Sequence, residues 1–373
     1  MKILIDITYI SSASYAGIVV YAYRLLNGFL KLLMNKDIVL LVTSENRNLI
    51  QQLYPEFKLV CVSSKRENII LKLPHFKRFF YQKEIDDIIK SNKIDIILSP
   101  YITVNSIVTS SVPQIGVLHD VQTYILKKKQ FIKRIIYRFF MNKVLNDLTE
   151  IVTISNYSKK SIKSIIPSVK TPVSVIYNSV TILESEHWEF LTTLKPYILN
   201  VNTLEPYKNL KTLIESFGII KDKVPHNLVI KGKRLPYWDV VILPLIKKLE
   251  LENRIILIDQ KLDDAKLADL YVNAEIFVSP SLMEGFGFTP IEAAMYTIPV
   301  ITTKEAALYE TTMGLLNYYE PATDPMALAN VILRIIQNKP QQSELENISK
   351  IFIEQYSIDK QAKQFNILLQ KYL

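Results

Sequence analysis

Short, uniformly apolar runs alternate with segments of helical period along the whole chain. The first half carries KILIDI (2–7), IVLLVT (38–43), KLVCV (58–62), IDIIL (94–98), QIGVL (114–118), EIVTI (150–154) and VSVIY (173–177). The second repeats the plan with YILNVN (197–202), NLVIK (227–231), RIILI (254–258), EIFVS (275–279) and IPVIT (298–302). Runs without polar alternation predict strands buried on both faces, and helices between them predict parallel sheets covered on both sides. Two doubly wound α/β domains follow, residues 1–185 and 186–373, and the last helix of the second is the one that can pack back onto the first. The stretch 179–196 shows no strand signal and carries Glu184, Glu186 and Glu189, so it reads as the linker.

At 373 residues the chain is long enough for two substantial cores. A hydrophobic share of 49% and a charged share of 22% describe a globular protein. No apolar run approaches the roughly 18 to 20 residues that span a bilayer. The opening MKILIDITYI reads as a first strand rather than a signal peptide. The single cysteine, Cys61, excludes an internal disulfide and reads as a small core residue. The expected location is cytoplasmic.

Charge changes this picture. The net +9 divides into 25 Lys and Arg against 13 Asp and Glu for residues 1–185, and 20 against 23 for the remainder. The first half therefore meets the anionic partner. Residues 123–145 place Phe131, Ile132, Ile135, Ile136, Phe139 and Phe140 at helical spacing beside Lys127, Lys128, Lys129, Lys133, Arg134, Arg138 and Lys143. Two readings stand: a core-facing helix with a solvated basic face, or a surface that docks on anionic lipid, each nearby Lys or Arg contributing about 1 kcal/mol. A second basic stretch, Lys72 to Lys83 interleaved with Phe76, Phe79, Phe80 and Tyr81, adds weight to the membrane reading, a peripheral position on its inner face. No helix-turn-helix, zinc or RNA-binding signature accompanies these residues, so nucleic acid is not the expected partner.

Candidate chemistry concentrates in MEGFGFTPIEAAMYTIPV (283–300), just beyond the predicted strand 275–279. Thr289, Pro290 and Glu292 fit N-cap, first and third helical positions, a capping box in which the Glu292 carboxylate reaches back to the Thr289 amide. Gly285 and Gly287 in front of it let the backbone approach a ligand, while helix N-terminal amides favour an anion. Two glutamates beside a phosphate site would repel it unless they accept hydrogen bonds from hydroxyl groups. A diphosphate joined to sugars reconciles both demands. Lys208, at the entry to a helix after the strand 197–202, can neutralise such a diphosphate, or stand as a solvated lysine. His119, directly after QIGVL, can donate to a sugar hydroxyl or a reacting oxygen, or serve as a structural histidine. His75, His187 and His226 lie in segments that suggest surface or linker. Gly17 opens the first helix, either to admit a phosphate or an acceptor or as an ordinary turn residue.

These residues resemble the family 4 retaining glycosyltransferases. EGFGFTPIE, from Glu284 to Glu292, looks like that family's E-x(7)-E signature, with Pro280-Ser281 before it and Ala293-Ala294 and Pro299-Val300 after it. TLEPYKNL (203–210) and LADLYVNAEIFVSPS (267–281) resemble two further family motifs, with weaker echoes at Gly17-Ile18, His119-Asp120, 154–159 and 176–180. The resemblance implies a GT-B fold, two Rossmann-like domains facing across a cleft, the first for the acceptor and the second for the nucleotide sugar. It implies that Glu284 holds hydroxyls of the donor sugar and Glu292 the ribose. The amides of Gly285, Phe286, Gly287, Phe288 and Thr289, with Lys208, would bind the diphosphate. Asn202, Lys231 and Lys261 join the donor-binding set, and His119 would face the sugar and the reacting oxygen. Transfer would retain the anomeric configuration without a metal or other cofactor, from a UDP- or GDP-sugar to a lipid-linked or growing glycan in surface polysaccharide synthesis. Asn202 stands where the family usually has glycine, Tyr207 where it often has arginine, and Thr297 where glycine usually follows the helix. The lost arginine also admits an inactive nucleotide-sugar-binding or scaffold subunit, or compensation by Lys231, Lys233 or Arg234.

Overall fold

The strand runs pair as their uninterrupted apolarity predicts. The computed structural model describes residues 1–10, 17–32, 34, 37–62, 76–104, 106, 108, 111–119, 121 and 131–372. The first sheet contains β1 (Ile3–Asp6), β2 (Ile38–Thr43), β3 (Lys58–Val62), β4 (Ile96–Ser99), β5 (Gln114–Val117), β6 (Glu150–Thr153) and β7 (Val173–Val175). The second contains β8 (Tyr197–Val201), β9 (Asn227–Lys231), β10 (Ile255–Ile258), β11 (Ile276–Ser279), β12 (Val300–Thr302) and β13 (Asn317–Tyr318). The orders are β3-β2-β1-β4-β5-β6-β7 and β10-β9-β8-β11-β12-β13, with parallel pairing throughout. β13 escapes sequence reading because it is two partly buried residues with no apolar run.

Each order reverses once, between β1 and β4 and between β8 and β11. At such a switch point the connections leave in opposite directions and open a crevice beyond the strands' carboxyl ends, where ligands of this architecture bind.

The chain divides into two compact units, Met1–Ser179 with Ile358–Leu373, and Val180–Ser357. The strand pattern places the break at 185/186, inside the stretch read as a linker; packing places it at 179/180 and assigns the last helix, Ile358–Gln370, to the first unit. The reason is close packing: a Cβ on Gly28 of α1 (Gly17–Lys31) would lie 2.7 Å from Ala362 Cβ. Ala362, Phe365 and Leu369 share one core with Tyr21, Leu25 and Phe29. Gln361 adds hydrogen bonds to Ser179 Oγ and the Tyr177 carbonyl, both 3.0 Å. Cys61 is a free, partly buried thiol packed against this same core.

The helix Phe131–Asp147 differs from its core-facing reading. Met141, Val144 and Leu145 face the core, with Tyr137 and Phe140 at its margin. Ile135 and Phe139 are instead 53% and 67% exposed. Lys127 to Lys129, Lys72, His75 and Asp120 lie outside the described residues, as do the side chains of residues 76–81, 131–134 and 136. No helix among the described residues is long and apolar enough to cross a membrane.

Candidate functional site

After β8 the chain turns through a short 3-10 helix, Pro206–Lys208, into Asn209, which holds a left-handed conformation (φ 57°) before the helix Leu210–Ile220. Asn209 is buried and staples this loop to the one following β11. Its amide donates to the carbonyls of Pro280 (3.1 Å) and Ala322 (2.8 Å), and its oxygen accepts from Thr212 Oγ1 (2.7 Å). Leu282 N–H donates to the Tyr207 carbonyl at 2.9 Å. The two loops that leave the β8/β11 switch point are thereby locked together, and Lys208 Nζ sits 2.6 Å from Glu284 Oε1. The two side chains are 14% and 13% exposed, so water screens the pair weakly.

The turn following Glu284 corrects the sequence reading. The helix spans Phe288–Met295, two residues earlier than a Thr289 cap requires, and Gly287 occupies the N-cap with φ 88°. Thr289 is then the second helical residue and Glu292 the fifth, so there is no capping box. Glycine is required at 287 on two grounds: the left-handed backbone, and the 2.6 Å that would separate an added Cβ from Leu308 Cδ2. Phe286 is buried, its carbonyl accepting from Thr311 Oγ1 at 2.5 Å and its ring lying 5.1 Å from Phe288 and 5.2 Å from Tyr356. The Glu284 carbonyl accepts from Ala307 N–H at 3.3 Å. The turn is thus rigid before any ligand arrives, and it ends in a helix N-terminus, whose first amides lack intrahelical acceptors and whose dipole favours an anion.

Glu292 has a different partner from the one its spacing indicated. Its Oε2 accepts from Tyr271 OH at 3.3 Å, and the Tyr271 ring stacks on Tyr296 at 5.3 Å and 10°. Burial, reinforced by the Glu292 carboxylate, pushes the Tyr271 phenol well above its usual range, so it remains a donor. Tyr296 in turn bridges the Leu183 amide and carbonyl, 2.9 and 3.0 Å away. Both tyrosines lie inside stretches quoted above, Tyr271 in LADLYVNAEIFVSPS and Tyr296 in MEGFGFTPIEAAMYTIPV, but their spacing gives no sign of this contact.

The remaining donor-set candidates sit at other strand ends. Asn202 N–H donates to the Lys231 carbonyl at 3.0 Å, its amide donates to Asn200 Oδ1, and its own Oδ1 is buried without a partner. A Cβ on Gly232 would collide with the Asn202 carbonyl. Lys231 ends β9, where burial holds its ammonium below the usual lysine range against the opposing pull of Asp259. Lys261 is exposed beyond β10.

In the first unit, His119 follows β5 and its Nε2 lies 3.0 Å from the Pro100 carbonyl. The Tyr21 ring stands edge-on at 4.5 Å and Tyr101 at 6.2 Å. Burial lowers the imidazole from 6.5 to about 4, outweighing the Pro100 bond, which acts to raise it. His119 is therefore neutral at pH 7, with Nε2–H donating to Pro100. Nδ1 is then left as an acceptor. Gly17 opens α1 with nothing within 4 Å of an added Cβ and no left-handed φ, so backbone geometry does not demand glycine there. His226, expected at the surface, is 2% exposed, with Nε2 2.9 Å from Glu275 Oε2.

Comparison with known proteins matches residues 185–370 to the family described as glycosyl transferases group 1 and residues 15–182 to glycosyltransferase family 4. The chain is 26% identical over 244 residues to the O-antigen chain mannosyltransferase RfbU of Salmonella typhimurium, a match covering 65% of each protein's length. Among solved structures, the sucrose-phosphate synthase of Thermosynechococcus elongatus superposes with a TM-score of 0.73 at 16% identity, over 100% of this chain and 98% of that one. Anabaena HepE in complex with UDP-glucose superposes with a TM-score of 0.67 at 16% identity, over the full length of both chains.

Proposed function

Because the chain belongs to the family 4 glycosyltransferases of the GT-B fold, we propose that it transfers a sugar from a nucleotide-sugar donor to a glycan acceptor, with retention of anomeric configuration. The observation that carries this reading is the Lys208–Glu284 pair, 2.6 Å apart at the switch point, beside the Gly287 turn. An ammonium and a helix N-terminus suit the diphosphate that leaves, where negative charge grows most in the transition state. The second oxygen of Glu284 accepts from hydroxyls of the donor sugar while the first is held by Lys208. Glu292, oriented by Tyr271, accepts from the ribose. His119, neutral, accepts a sugar hydroxyl at Nδ1. The chain has no Asp-x-Asp pair for a metal-held diphosphate, so cationic side chains and amides take that task in this proposal.

The donor is a UDP- or GDP-sugar in this reading, with HepE's UDP-glucose and RfbU's mannosyl transfer as the supporting precedents. The acceptor is a lipid-linked or growing glycan at an anionic membrane face. Exposed Ile135 and Phe139 flank Arg138 on one helix, which supports docking there. Flotation with anionic vesicles tests it: binding at low salt should be lost at high salt and in Phe139→Glu, and wild type that fails to float at low salt removes the membrane from the proposal.

Tyr207, where the family often has arginine, favours a second reading as a nucleotide-sugar-binding subunit without turnover. A thermal-shift screen of UDP-, GDP- and ADP-sugars, followed by mass spectrometry of products, separates the two. A rise in melting temperature with a glycosylated product supports the transferase. Stabilisation with no product across a panel of acceptors supports the binding subunit, and no stabilisation by any donor sinks both.

A further inference from the structure

The second unit's sheet carries a cavity at the end opposite its switch point. About 350 Å³ lies against Glu275 and Ile276, which lead into β11, and against Ile298 and Pro299, which lead into β12. That volume is within the range of small-molecule sites. Ile335 from the helix Pro325–Gln337 and Leu345 from the helix Gln342–Gln355 add to an apolar lining. Four polar or charged side chains line it too, Glu275, Thr297, Lys339 and Gln342, and none of them has a part in the donor chemistry. Thr297 is the informative one. Its backbone is left-handed, with φ 59°, which a β-branched residue rarely adopts and glycine would take without strain. Strain of this kind persists only where the surroundings hold it, and it collects at ligand sites. What threonine adds over glycine is a hydroxyl in the cavity wall.

The hydrogen bonds these groups leave unmade define the ligand. Both Glu275 oxygens are taken, Oε2 by His226 Nε2 at 2.9 Å and Oε1 by Lys339 Nζ. The Lys339 ammonium keeps two further N–H donors. Gln342 Nε2 donates to Thr297 Oγ1 at a long 3.4 Å, and the Thr297 hydroxyl proton has no acceptor among the described residues. Donors are in surplus beside an apolar lining, which suits an apolar body with an anionic, acceptor-rich head. A ligand ammonium would have to displace Lys339 from Glu275 and would gain no bond the protein does not already make. Tyr296 also lines the cavity, and its ring stacks on Tyr271, whose hydroxyl holds Glu292. A ligand packed against Tyr296 steadies that pair. We propose that this cavity is a regulatory site for a small amphiphilic monocarboxylate, held by Thr297, Lys339 and Gln342, and that its occupation tightens donor binding through Tyr296 and Tyr271. The coupling rests on the donor reading above; the binding site does not.

Octanoate and phenylpropionate, titrated into the full chain by calorimetry, test the site, with octylamine and octanol as controls for the head group. At least one carboxylate should bind saturably, about 10-fold tighter than either control. Thr297→Gly should weaken that carboxylate about 10-fold without lowering the melting temperature, since glycine relieves the left-handed backbone. A threonine with a structural role alone would leave the affinity unchanged. Leu345→Trp, which fills the cavity from a partly exposed helix position, should abolish binding. A nucleotide sugar is then titrated without the carboxylate and at its saturation. Donor affinity should rise about 5-fold, and linkage requires the carboxylate to gain by the same factor. Absence of carboxylate binding in protein that a nucleotide sugar stabilises against heat overturns the inference, as does equal binding of octylamine or octanol. Donor affinity unchanged at saturating carboxylate overturns the regulatory role. Carboxylate binding by protein that no nucleotide sugar stabilises would sink the donor reading and leave the binding site standing.

Discussion

The two switch points share a topology and differ in almost every side chain. At β8/β11 the two departing loops meet through an ammonium and a carboxylate 2.6 Å apart, next to a glycine turn that starts a helix. At β1/β4 they meet through the Tyr9 and Tyr101 rings, 5.3 Å apart, backed by a neutral histidine. The fold determines where a crevice opens; the residues at the strand ends decide what chemistry it offers. One parallel sheet order can thus be used twice in one chain without duplicating its chemistry.

The sharpest way to break this contrast is Lys208→Ala. Transfer should fall roughly 100-fold to 1,000-fold, about 2.7–4 kcal/mol of transition-state stabilisation, in steady-state assays with whichever donor the screen identifies. A fall under tenfold would mean that the charged switch point does not act on the leaving group. Next in size, Glu292→Ala should cost about 1.5–3 kcal/mol of donor binding, roughly 10-fold to 100-fold by calorimetry. Unchanged affinity would reduce Glu292 to a partner of Tyr271. Gly287→Ala should destabilise the second unit by about 1–2 kcal/mol from the left-handed backbone alone, read by denaturant unfolding, with donor binding falling in step.

The first unit offers smaller effects. His119 has a folded-state value of about 4, below the 6.5 of the exposed ring, so the unfolded chain binds the extra proton first. Its contribution to stability is complete above pH 6.5 and is lost as pH falls through that window towards 4. Allowing for screening at a partly exposed ring, the loss by pH 5 is about 1 kcal/mol. His119→Gln, which does not titrate, should flatten the melting curve across this range; an equal slope would assign the pH response elsewhere. The smallest change is Gly17→Ala, which should raise stability by less than about 1 kcal/mol, since nothing crowds the site and alanine favours the helix. Destabilisation comparable to Gly287→Ala would erase the difference between the two glycines.

Much of the scaffold is legible because it is local. A run such as IVLLVT cannot be half-exposed, and it forms the wholly buried β2 at the predicted bounds. The site is less legible. Thr289 and Glu292 carry a capping signal that is sound in isolation, but Leu308 packing onto a left-handed Gly287 starts the helix earlier. The unpaired hydroxyls of Tyr9 and Tyr21 have no signature at all, because an unmet hydrogen bond is a property of surroundings. Ile135 and Phe139 keep helical spacing with the core residues and still face outward, since spacing names a face without saying what covers it.

The amino-acid sequence by itself determined two parallel-sheet units, the order of their elements, and the residue types at the second unit's phosphate-suited turn. These follow from short-range periodicity and from motifs contiguous in the chain. Only the tertiary structure brought Lys208 to Glu284 across 76 residues, turned Glu292 to Tyr271 and left His119 neutral. Each of these depends on strand order and on burial among distant residues, where desolvation and packing, rather than local propensity, decide the outcome.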